Sequence, residues 1–143
     1  MPFLYTRRIR FQETDAAGVV YFSNLLTLCH EAYEAALAEA GFDLTLFFSK
    51  EGGVAVPVTH TEADFYQPLR CGEAIALQLV PTQVSPHSFE IHYEIYHCPQ
   101  QELQQKPAVR AMTRHVCIDV QTRRRQTLTP ELTDWITGVA GRA

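Results

Sequence analysis

The chain has 143 residues, of which 46% are hydrophobic and 20% are charged. This composition is typical of a globular protein and excludes a largely disordered chain, and the length predicts a single domain spanning residues 1–143. The formal net charge of −4 argues against general nucleic-acid binding, and we expect neither a signal peptide nor a membrane span because no apolar run reaches about 18 residues.

The predicted elements begin with a strand and one long helix. Residues 3–12 carry apolar side chains at alternate positions, which predicts a strand in which Arg7 is the polar exception. Residues 23–40 place apolar side chains at i, i+3, i+4 and i+7, which is typical of an amphipathic helix about 27 Å long. Ser23 or Asn24 is expected to cap the start of this helix, and Gly41 to follow its end. Its apolar face comprises Leu25, Leu28, Cys29, Ala32, Tyr33, Ala36, Leu37 and Ala40.

After Gly52-Gly53 the apolar pattern changes to a period of two, which predicts strands. One apolar helix and a long antiparallel sheet bury each other if the sheet curls around the helix, which predicts an α+β fold. The open edges of such a sheet favour pairing between subunits. The predicted strands cover residues 54–65, 75–79, 89–95 after a turn at 85–88, and 108–120, and a short helix is expected near 130–136.

The four cysteines, Cys29, Cys71, Cys98 and Cys117, form no Cys-x-x-Cys pair and no zinc-ligand spacing. We therefore expect reduced thiols without a redox role and a cytoplasmic setting.

One polar pattern could bind a metal ion. His60, Glu62 and Asp64 share one face of a predicted strand, and His92 could complete a facial site. Because this spacing is not specific, we expect a solvent-facing polar strand face, no metal site and no other cofactor.

A carboxylate in the loop before the long helix is the most informative candidate for chemistry. Asp15 stands in a glycine-containing loop that leads directly into the helix. Unpaired N–H groups and the positive dipole end at a helix start can stabilise an oxyanion, and a nearby carboxylate can attack a carbonyl or activate water. The alternative from the residues alone is that Asp15 only forms a turn.

Two segments carry a family resemblance. Thr14-Asp15-x-x-Gly18-Val19-Val20-Tyr21-Phe22-x-Asn24, followed by an amphipathic helix containing Glu31-Ala32, resembles the signature of the 4-hydroxybenzoyl-CoA thioesterase family, which has the hotdog fold. Asp64-Phe65-Tyr66-Gln67-Pro68-Leu69-Arg70-Cys71-Gly72-Glu73 matches a second family segment, so the resemblance covers about residues 3–128. Within the family the chain is most similar to the cyanobacterial 1,4-dihydroxy-2-naphthoyl-CoA hydrolases of phylloquinone synthesis.

The resemblance implies a role for each matching residue. Asp15 corresponds to the catalytic aspartate, Gly18 to the turn glycine, and the backbone N–H groups around Tyr21 and Phe22 to the oxyanion-binding helix start. Phe22 replaces the Tyr or His common in relatives, which removes that side chain's assistance. Another branch of hotdog thioesterases uses a helix glutamate, but with Asp15 in its own motif we expect Glu31 to be structural or auxiliary.

The resemblance further implies hydrolysis of an aromatic acyl-CoA by a homodimer or homotetramer, and it favours 1,4-dihydroxy-2-naphthoyl-CoA as the substrate. Hydrolysis of 4-hydroxybenzoyl or short-chain thioesters, or non-catalytic binding of acyl-CoA or acyl carrier protein, are the alternatives. The basic run Arg123-Arg124-Arg125 is either a solvated turn or the site of the coenzyme A phosphates, which suit guanidinium groups. Four aromatic residues within the two family segments are expected to favour flat acyl groups, although we expect at least two of them to fill the core: Tyr21, Phe22, Phe65 and Tyr66.

Overall fold

The computed structural model describes residues 2–98 and 106–141, with side chains up to Gly138. Its main sheet has five antiparallel strands in the order β1-β4-β5-β6-β3, and a second sheet pairs β2 with β7. The strands are β1 (Phe3–Arg8), β2 (Val54–Ala55), β3 (Val58–Phe65), β4 (Ala74–Ser85), β5 (Ser88–His97), β6 (Val109–Val116) and β7 (Ile118–Asp119). The helices are α1 (Phe22–Glu39), α2 (Leu44–Phe47) and α3 (Pro130–Gly141).

Helix α1 buries the apolar face that its sequence period predicts. Seven of the eight expected positions are buried, and Ala40 alone is exposed because the helix ends at Glu39. Gly41 has φ +95° and donates its N–H to the carbonyl of Ala38, so the predicted glycine terminus is confirmed. The helix begins at Phe22, one residue before the predicted start, but the predicted cap is wrong: Tyr21 is the N-cap, and it makes no side-chain capping bond.

The inner face of the sheet packs against α1. Side chains at alternate positions of β4 and β5 are completely or almost completely buried and join the α1 residues in one core. The predicted hairpin is confirmed, because Ser85 at the end of β4 pairs with Ser88 at the start of β5. The core-facing residues of the two strands are Ile75, Leu77 and Leu79 on β4 and Phe89, Ile91, Tyr93 and Ile95 on β5.

Two predicted strands are shorter or interrupted. The first ends at Arg8 instead of residue 12, since residues 11–13 form a 3-10 turn. The predicted strand 54–65 is split into β2 and β3 around Pro57, which lacks an N–H for a sheet ladder. The strand predicted over 108–120 is likewise divided into β6 and β7 at Cys117, whose N–H bonds to the carbonyl of His87.

Strand β3 lies at one edge of the main sheet and is exposed on both faces. Every residue from Thr59 to Phe65 is exposed, although the sequence pattern predicted one buried face. In the part of the chain that the structure describes, β3 pairs only with β6. Its other edge therefore has backbone groups that another strand could pair with.

The C-terminal helix α3 is longer than predicted and covers one end of the core. It packs against β4, and its Trp135 ring lies 6.2 Å from the Phe89 ring and 6.1 Å from the Tyr33 ring. Within residues 2–98 and 106–141, no helix is long and apolar enough to cross a membrane.

Candidate active site

The loop that carries Asp15 is a closed turn fixed by its own backbone. The Asp15 N–H donates to the carbonyl of Val19 over 2.9 Å, and Gly18 donates back to the Asp15 carbonyl over 3.0 Å. Gly18 has φ +81°, which explains the glycine at this position. The turn places Asp15 at the surface, directly before the strand-like residues that lead into α1.

The two oxygen atoms of the Asp15 carboxylate have different environments. Oδ1 accepts hydrogen bonds from the N–H groups of Ala17 at 2.8 Å and Val19 at 3.5 Å, so it holds the turn. Oδ2 has no protein partner among the described residues. Asp15 can therefore form the turn, as one reading of the sequence predicted, and also act chemically, because Oδ1 holds the turn and Oδ2 is left for chemistry.

The start of α1 offers two free backbone donors, and the N–H of Tyr21, which the resemblance placed in the oxyanion site, is not one of them. The Tyr21 N–H already donates to the Glu13 carbonyl over 2.9 Å, and the Asn24 N–H donates to the Tyr21 carbonyl over 2.9 Å. The N–H groups of Phe22 and Ser23 have no acceptor within the described residues, as expected for the first turn of a helix. Any oxyanion bound here would therefore meet Phe22 and Ser23, with the helix dipole behind them.

The two family-like segments meet in space. Val20 donates its N–H to the Leu69 carbonyl over 2.8 Å, and Val19 forms a bridge with Arg70. Between them lies a cavity of about 470 Å³, which we call the Asp15 cavity. It is lined by Asp15, residues 19–22 and residues 65–69.

Four aromatic side chains surround the Asp15 cavity and remain exposed. Tyr21, Phe22, Phe65 and Tyr66 are 44%, 67%, 45% and 56% exposed, so the expectation that at least two of them fill the core is wrong. The rings of Tyr21 and Phe22 contact each other with centroids 4.8 Å apart. Apolar rings left in solvent beside a free carboxylate form a surface suited to a flat apolar ligand.

Glu31 lies in a different environment from Asp15. Its carboxylate accepts hydrogen bonds from Arg7 and from the Tyr5 hydroxyl, the latter at 3.1 Å. The same Arg7 side chain, which is 8% exposed, also pairs with the buried Glu13. Burial and the bond to Glu31 raise the pKa of Tyr5. The sequence pattern gave Arg7 no partner, since Glu13 and Glu31 reach it only through the fold.

A second cavity, of about 650 Å³, lies at the opposite end of β3 and shares no lining residue with the first. We call it the His115 cavity. Its walls include Tyr33, Phe48, Val58 and His115, and its charged lining residues are Glu34, Lys50 and Arg123.

His115 is buried and held neutral. Its Nδ1 lies 2.9 Å from the Val56 carbonyl, which can only accept, so Nδ1 carries the proton and Nε2 accepts from the Thr113 hydroxyl at 2.9 Å. The pKa of His115 is lowered to about 4, chiefly by burial and in a smaller part by nearby His30, whereas the hydrogen bond to Val56 acts in the opposite direction. Burial likewise raises the pKa of Tyr33.

The predicted phosphate-binding arginines lie away from the Asp15 cavity within one subunit. Arg123, Arg124 and Arg125 are exposed on the turn after β7, and Arg123 lines the His115 cavity. Asp119 shapes this turn, because its carboxylate accepts from the N–H groups of Gln121 at 2.8 Å and Thr122 at 2.9 Å.

The polar face predicted on β3 is exposed. His60 Nε2 lies 3.9 Å from Glu62 Oε1, whereas His92 is separated from Glu62 by Met112 on β6, two strand spacings or roughly 10 Å away. Across residues 2–98 and 106–141, no three His, Cys, Asp or Glu side chains are close enough to hold a metal ion.

All four cysteines are free thiols. Cys29 and Cys117 are buried, and burial raises the pKa of Cys29 to about 12. A thiol with so high a pKa is a poor nucleophile at neutral pH.

Comparison with known proteins gives consistent matches over almost the whole chain. The model of the thioesterase-like superfamily matches residues 9–136. A 1,4-dihydroxy-2-naphthoyl-CoA hydrolase from Trichodesmium erythraeum is 44% identical over 136 residues, which cover 95% of this chain and 96% of the relative. The enzyme of the same name from Rippkaea orientalis is 47% identical over 133 residues, covering 92% of this chain and 93% of the relative.

A solved structure extends the similarity to the fold. The crystal structure of a 1,4-dihydroxy-2-naphthoyl-CoA thioesterase from Synechocystis aligns with a TM-score of 0.85 at 35% identity. The alignment covers 95% of this chain and 96% of that chain. The α+β hotdog fold predicted from the sequence is confirmed.

Proposed function

The chain belongs to the thioesterase-like superfamily, and on that premise we propose that it hydrolyses the aromatic thioester 1,4-dihydroxy-2-naphthoyl-CoA to 1,4-dihydroxy-2-naphthoate and coenzyme A. The relatives that carry this activity in their names align along nearly their full length. Such a product would enter phylloquinone synthesis. We propose further that residues 1–143 form one domain and that the enzyme acts in the cytoplasm.

One observation supports this reaction above the others: a carboxylate oxygen without a protein partner, two unpaired helix-start N–H groups and four exposed aromatic rings belong to one small region. Thioester hydrolysis needs a nucleophile or base and donors for the oxygen that becomes negative. A fused aromatic acyl group needs flat apolar walls.

Asp15 acts at the thioester carbonyl through Oδ2, by one of two routes. As a nucleophile, Oδ2 attacks the carbonyl carbon, the C–S bond breaks, and water then hydrolyses the mixed anhydride. As a base, Asp15 takes a proton from water while the resulting hydroxide adds to the carbonyl carbon and the same C–S bond breaks. In both, the N–H groups of Phe22 and Ser23 donate to the oxyanion. The thiolate leaves readily because a thiol pKa is about 8.5.

The free edge of β3 supports a homodimer in which two copies of β3 pair antiparallel. Phe65 lines the Asp15 cavity and Val58 lines the His115 cavity, so the cavities lie at opposite ends of a strand about 23 Å long. Antiparallel pairing about a two-fold axis would place the Phe65 end of one strand beside the Val58 end of the other. Arg123, Arg124 and Arg125 of the partner subunit would then lie close enough to meet the coenzyme A phosphates. A homotetramer would be two such dimers.

The substrate assignment is tested by thiol release from four thioesters at matched salt: 1,4-dihydroxy-2-naphthoyl-CoA, 4-hydroxybenzoyl-CoA, butyryl-CoA and palmitoyl-CoA. We expect kcat/KM for the naphthoyl thioester to exceed that for either alkyl thioester by at least about tenfold, or roughly 1.4 kcal/mol in transition-state binding. A faster reaction with 4-hydroxybenzoyl-CoA or an alkyl thioester would reassign the substrate. Binding without thiol release from any of them would indicate a non-catalytic acyl-CoA or carrier-protein module.

The dimer is tested by light scattering at micromolar concentration. We expect at least a dimer. In a monomer, β3 would be exposed on both faces and its free edge would have no strand to pair with. A protein that is monomeric at this concentration and still hydrolyses its substrate would contradict the shared site.

A further inference from the structure

The residue that joins the Asp15 loop to the start of α1 is Glu13. Its backbone carbonyl accepts two hydrogen bonds, from the Tyr21 N–H at 2.9 Å and from Asn24 Nδ2 at 3.1 Å. Tyr21 is the N-cap of α1, and Asn24 lies in its first turn. Two residues after Glu13 the chain reaches Asp15. A displacement of Glu13 would therefore change the position of the Asp15 loop relative to the helix start.

The side chain of Glu13 is held by residues that precede it in the chain. The residue is 7% exposed, and its Oε1 accepts from the Arg10 N–H at 2.8 Å and from the guanidinium of Arg7. The Arg10 bond closes the 3-10 turn that precedes the loop. Glu13 is thus held at both its carboxylate and its carbonyl.

Arg7 is in turn anchored to two separate elements. It extends from β1, its Nε donates to the Arg8 carbonyl at 2.9 Å, and its other nitrogens pair with Glu13 and Glu31. Glu31 lies nine residues beyond Phe22 on α1, or about 13 Å along the helix axis. Arg7 therefore ties the middle of α1 and the turn before Asp15 to the same strand.

This arrangement is an inefficient way to gain stability alone. Burying a charged pair costs solvation that its attraction only partly offsets, and apolar replacements are often as stable. A guanidinium that bonds to two separate carboxylates, as Arg7 does, nevertheless fixes the distance and orientation of the groups that it joins. Reaction rates at a positioned carboxylate depend steeply on such geometry.

We infer that Glu13, held by Arg7, is a positioning residue that sets the distance between the Asp15 carboxylate and the N–H groups of Phe22 and Ser23. Glu13 does not touch the substrate and acts through the loop and the helix start. This inference rests on the proposed role of Asp15 as the catalytic carboxylate. Glu13 directly precedes the Thr14-Asp15 motif, and its role depends on its position in the fold.

The main variant is Glu13→Ala, which removes the side-chain anchor but leaves Arg7 paired with Glu31 so that no charge is orphaned. We expect kcat to fall at least about tenfold, with KM within about twofold of the parent, because geometry in the transition state is lost rather than ground-state binding. Glu13→Gln is the conservative variant. Its amide oxygen can still accept from Arg7 and Arg10, so we expect it to restore kcat to within about threefold of the parent.

Glu31→Ala is the matched control, since it truncates the other carboxylate that pairs with Arg7, leaves Arg7 paired with Glu13 and does not touch the Asp15 loop. We expect its kcat to stay within about threefold of the parent. Thermal unfolding measured on every variant separates loss of folded protein from loss of turnover. If folded Glu13→Ala retains kcat within twofold, or if folded Glu31→Ala loses as much kcat as Glu13→Ala, the positioning role is wrong.

Coupling to Asp15 separates this inference from the proposed function. In an Asp15→Asn background, Glu13→Ala should lower the residual kcat by less than about twofold, because there is no carboxylate left to position. A full additional tenfold loss would overturn the inference and leave the catalytic role of Asp15 intact. A fully active Asp15→Asn single variant would instead contradict the proposed function itself.

Discussion

The two cavities at the ends of β3 hold their ionisable groups in different environments. At the Asp15 cavity the carboxylate is exposed, one of its oxygens has no protein partner within the described residues, and the fixed groups are backbone amides. At the His115 cavity the imidazole and the phenol of Tyr33 are buried, and burial moves both pKa values away from neutrality in favour of the uncharged forms. Positive charge there is confined to Lys50 and Arg123.

This difference separates the ability to react from the ability to bind. A carboxylate that must attack a carbonyl carbon or take a proton from water has to be accessible, and Asp15 is exposed. A neutral buried histidine whose two nitrogens are both hydrogen-bonded supports structure and recognition, although a histidine is usually the first candidate for acid-base chemistry. We therefore propose that the Asp15 cavity carries the chemistry and that the His115 cavity supplies shape and positive charge.

The largest expected effect is at Asp15. Asp15→Asn retains the oxygen that accepts from Ala17, so we expect the turn and the fold to persist. Loss of the carboxylate removes the nucleophile or base and should lower kcat by at least about 100-fold. Steady-state thiol release measures the effect, and circular dichroism checks the fold. His115→Gln, a change at the other cavity, should leave kcat much closer to that of the parent. If His115→Gln lowers kcat more than Asp15→Asn does, the chemistry belongs to the His115 cavity instead.

The second effect is a pH dependence of stability that arises at His115. Its folded pKa of about 4 lies below the ordinary histidine value, so the unfolded chain binds the proton first as pH falls. The stabilisation is complete above about pH 6.5 and is lost progressively toward pH 4. From pH 7 to 5 the free energy of unfolding should fall by about 2 kcal/mol on account of this residue.

Urea unfolding at both pH values measures this change. His115→Gln should lose the His115 contribution to the pH dependence, even though it is less stable at pH 7. An identical pH dependence in the parent and His115→Gln would show that His115 is not held neutral by the fold.

The smallest effect concerns the basic turn. Changing Arg123, Arg124 and Arg125 together to Ala should raise KM for a coenzyme A thioester roughly three- to tenfold and spare kcat, because remote phosphate contacts act as uniform binding. Added salt should likewise raise KM of the parent enzyme for the coenzyme A thioester, because it screens the phosphate contacts. A truncated N-acetylcysteamine thioester, which lacks the phosphates, should show no change in KM. An unchanged KM for the full thioester at low salt would leave the turn as a solvated surface.

The sequence predicted the features that local pattern controls. The period of residues 23–40 gave the long helix, Gly41 gave its end, and the alternation in β4 and β5 gave the core strands, because each of these depends on neighbours along the chain. Asp15 and Gly18 could be placed in a turn for the same reason.

Other features depend on contacts between distant residues and were missed. The Tyr21 N–H is occupied by the carbonyl of Glu13, eight residues earlier, and Arg7 is explained only by Glu13 and Glu31. Strand β3 has a strand-like pattern, but its burial depends on what packs against it. Exposure of the aromatic rings at the Asp15 cavity could likewise not be read from their hydrophobicity.

A heterodimer of two different variant subunits tests whether the two cavities form one site. One subunit carries Asp15→Asn and the other carries the triple Arg123, Arg124 and Arg125 to Ala change, and two affinity tags isolate the mixed dimer. If the site combines Asp15 of one subunit with the arginines of the other, one of the two sites is intact. The mixed dimer should then hydrolyse 1,4-dihydroxy-2-naphthoyl-CoA with the parental KM and about half the parental kcat. A KM equal to that of the triple variant would show that both sets of residues act within one subunit and would contradict the shared site.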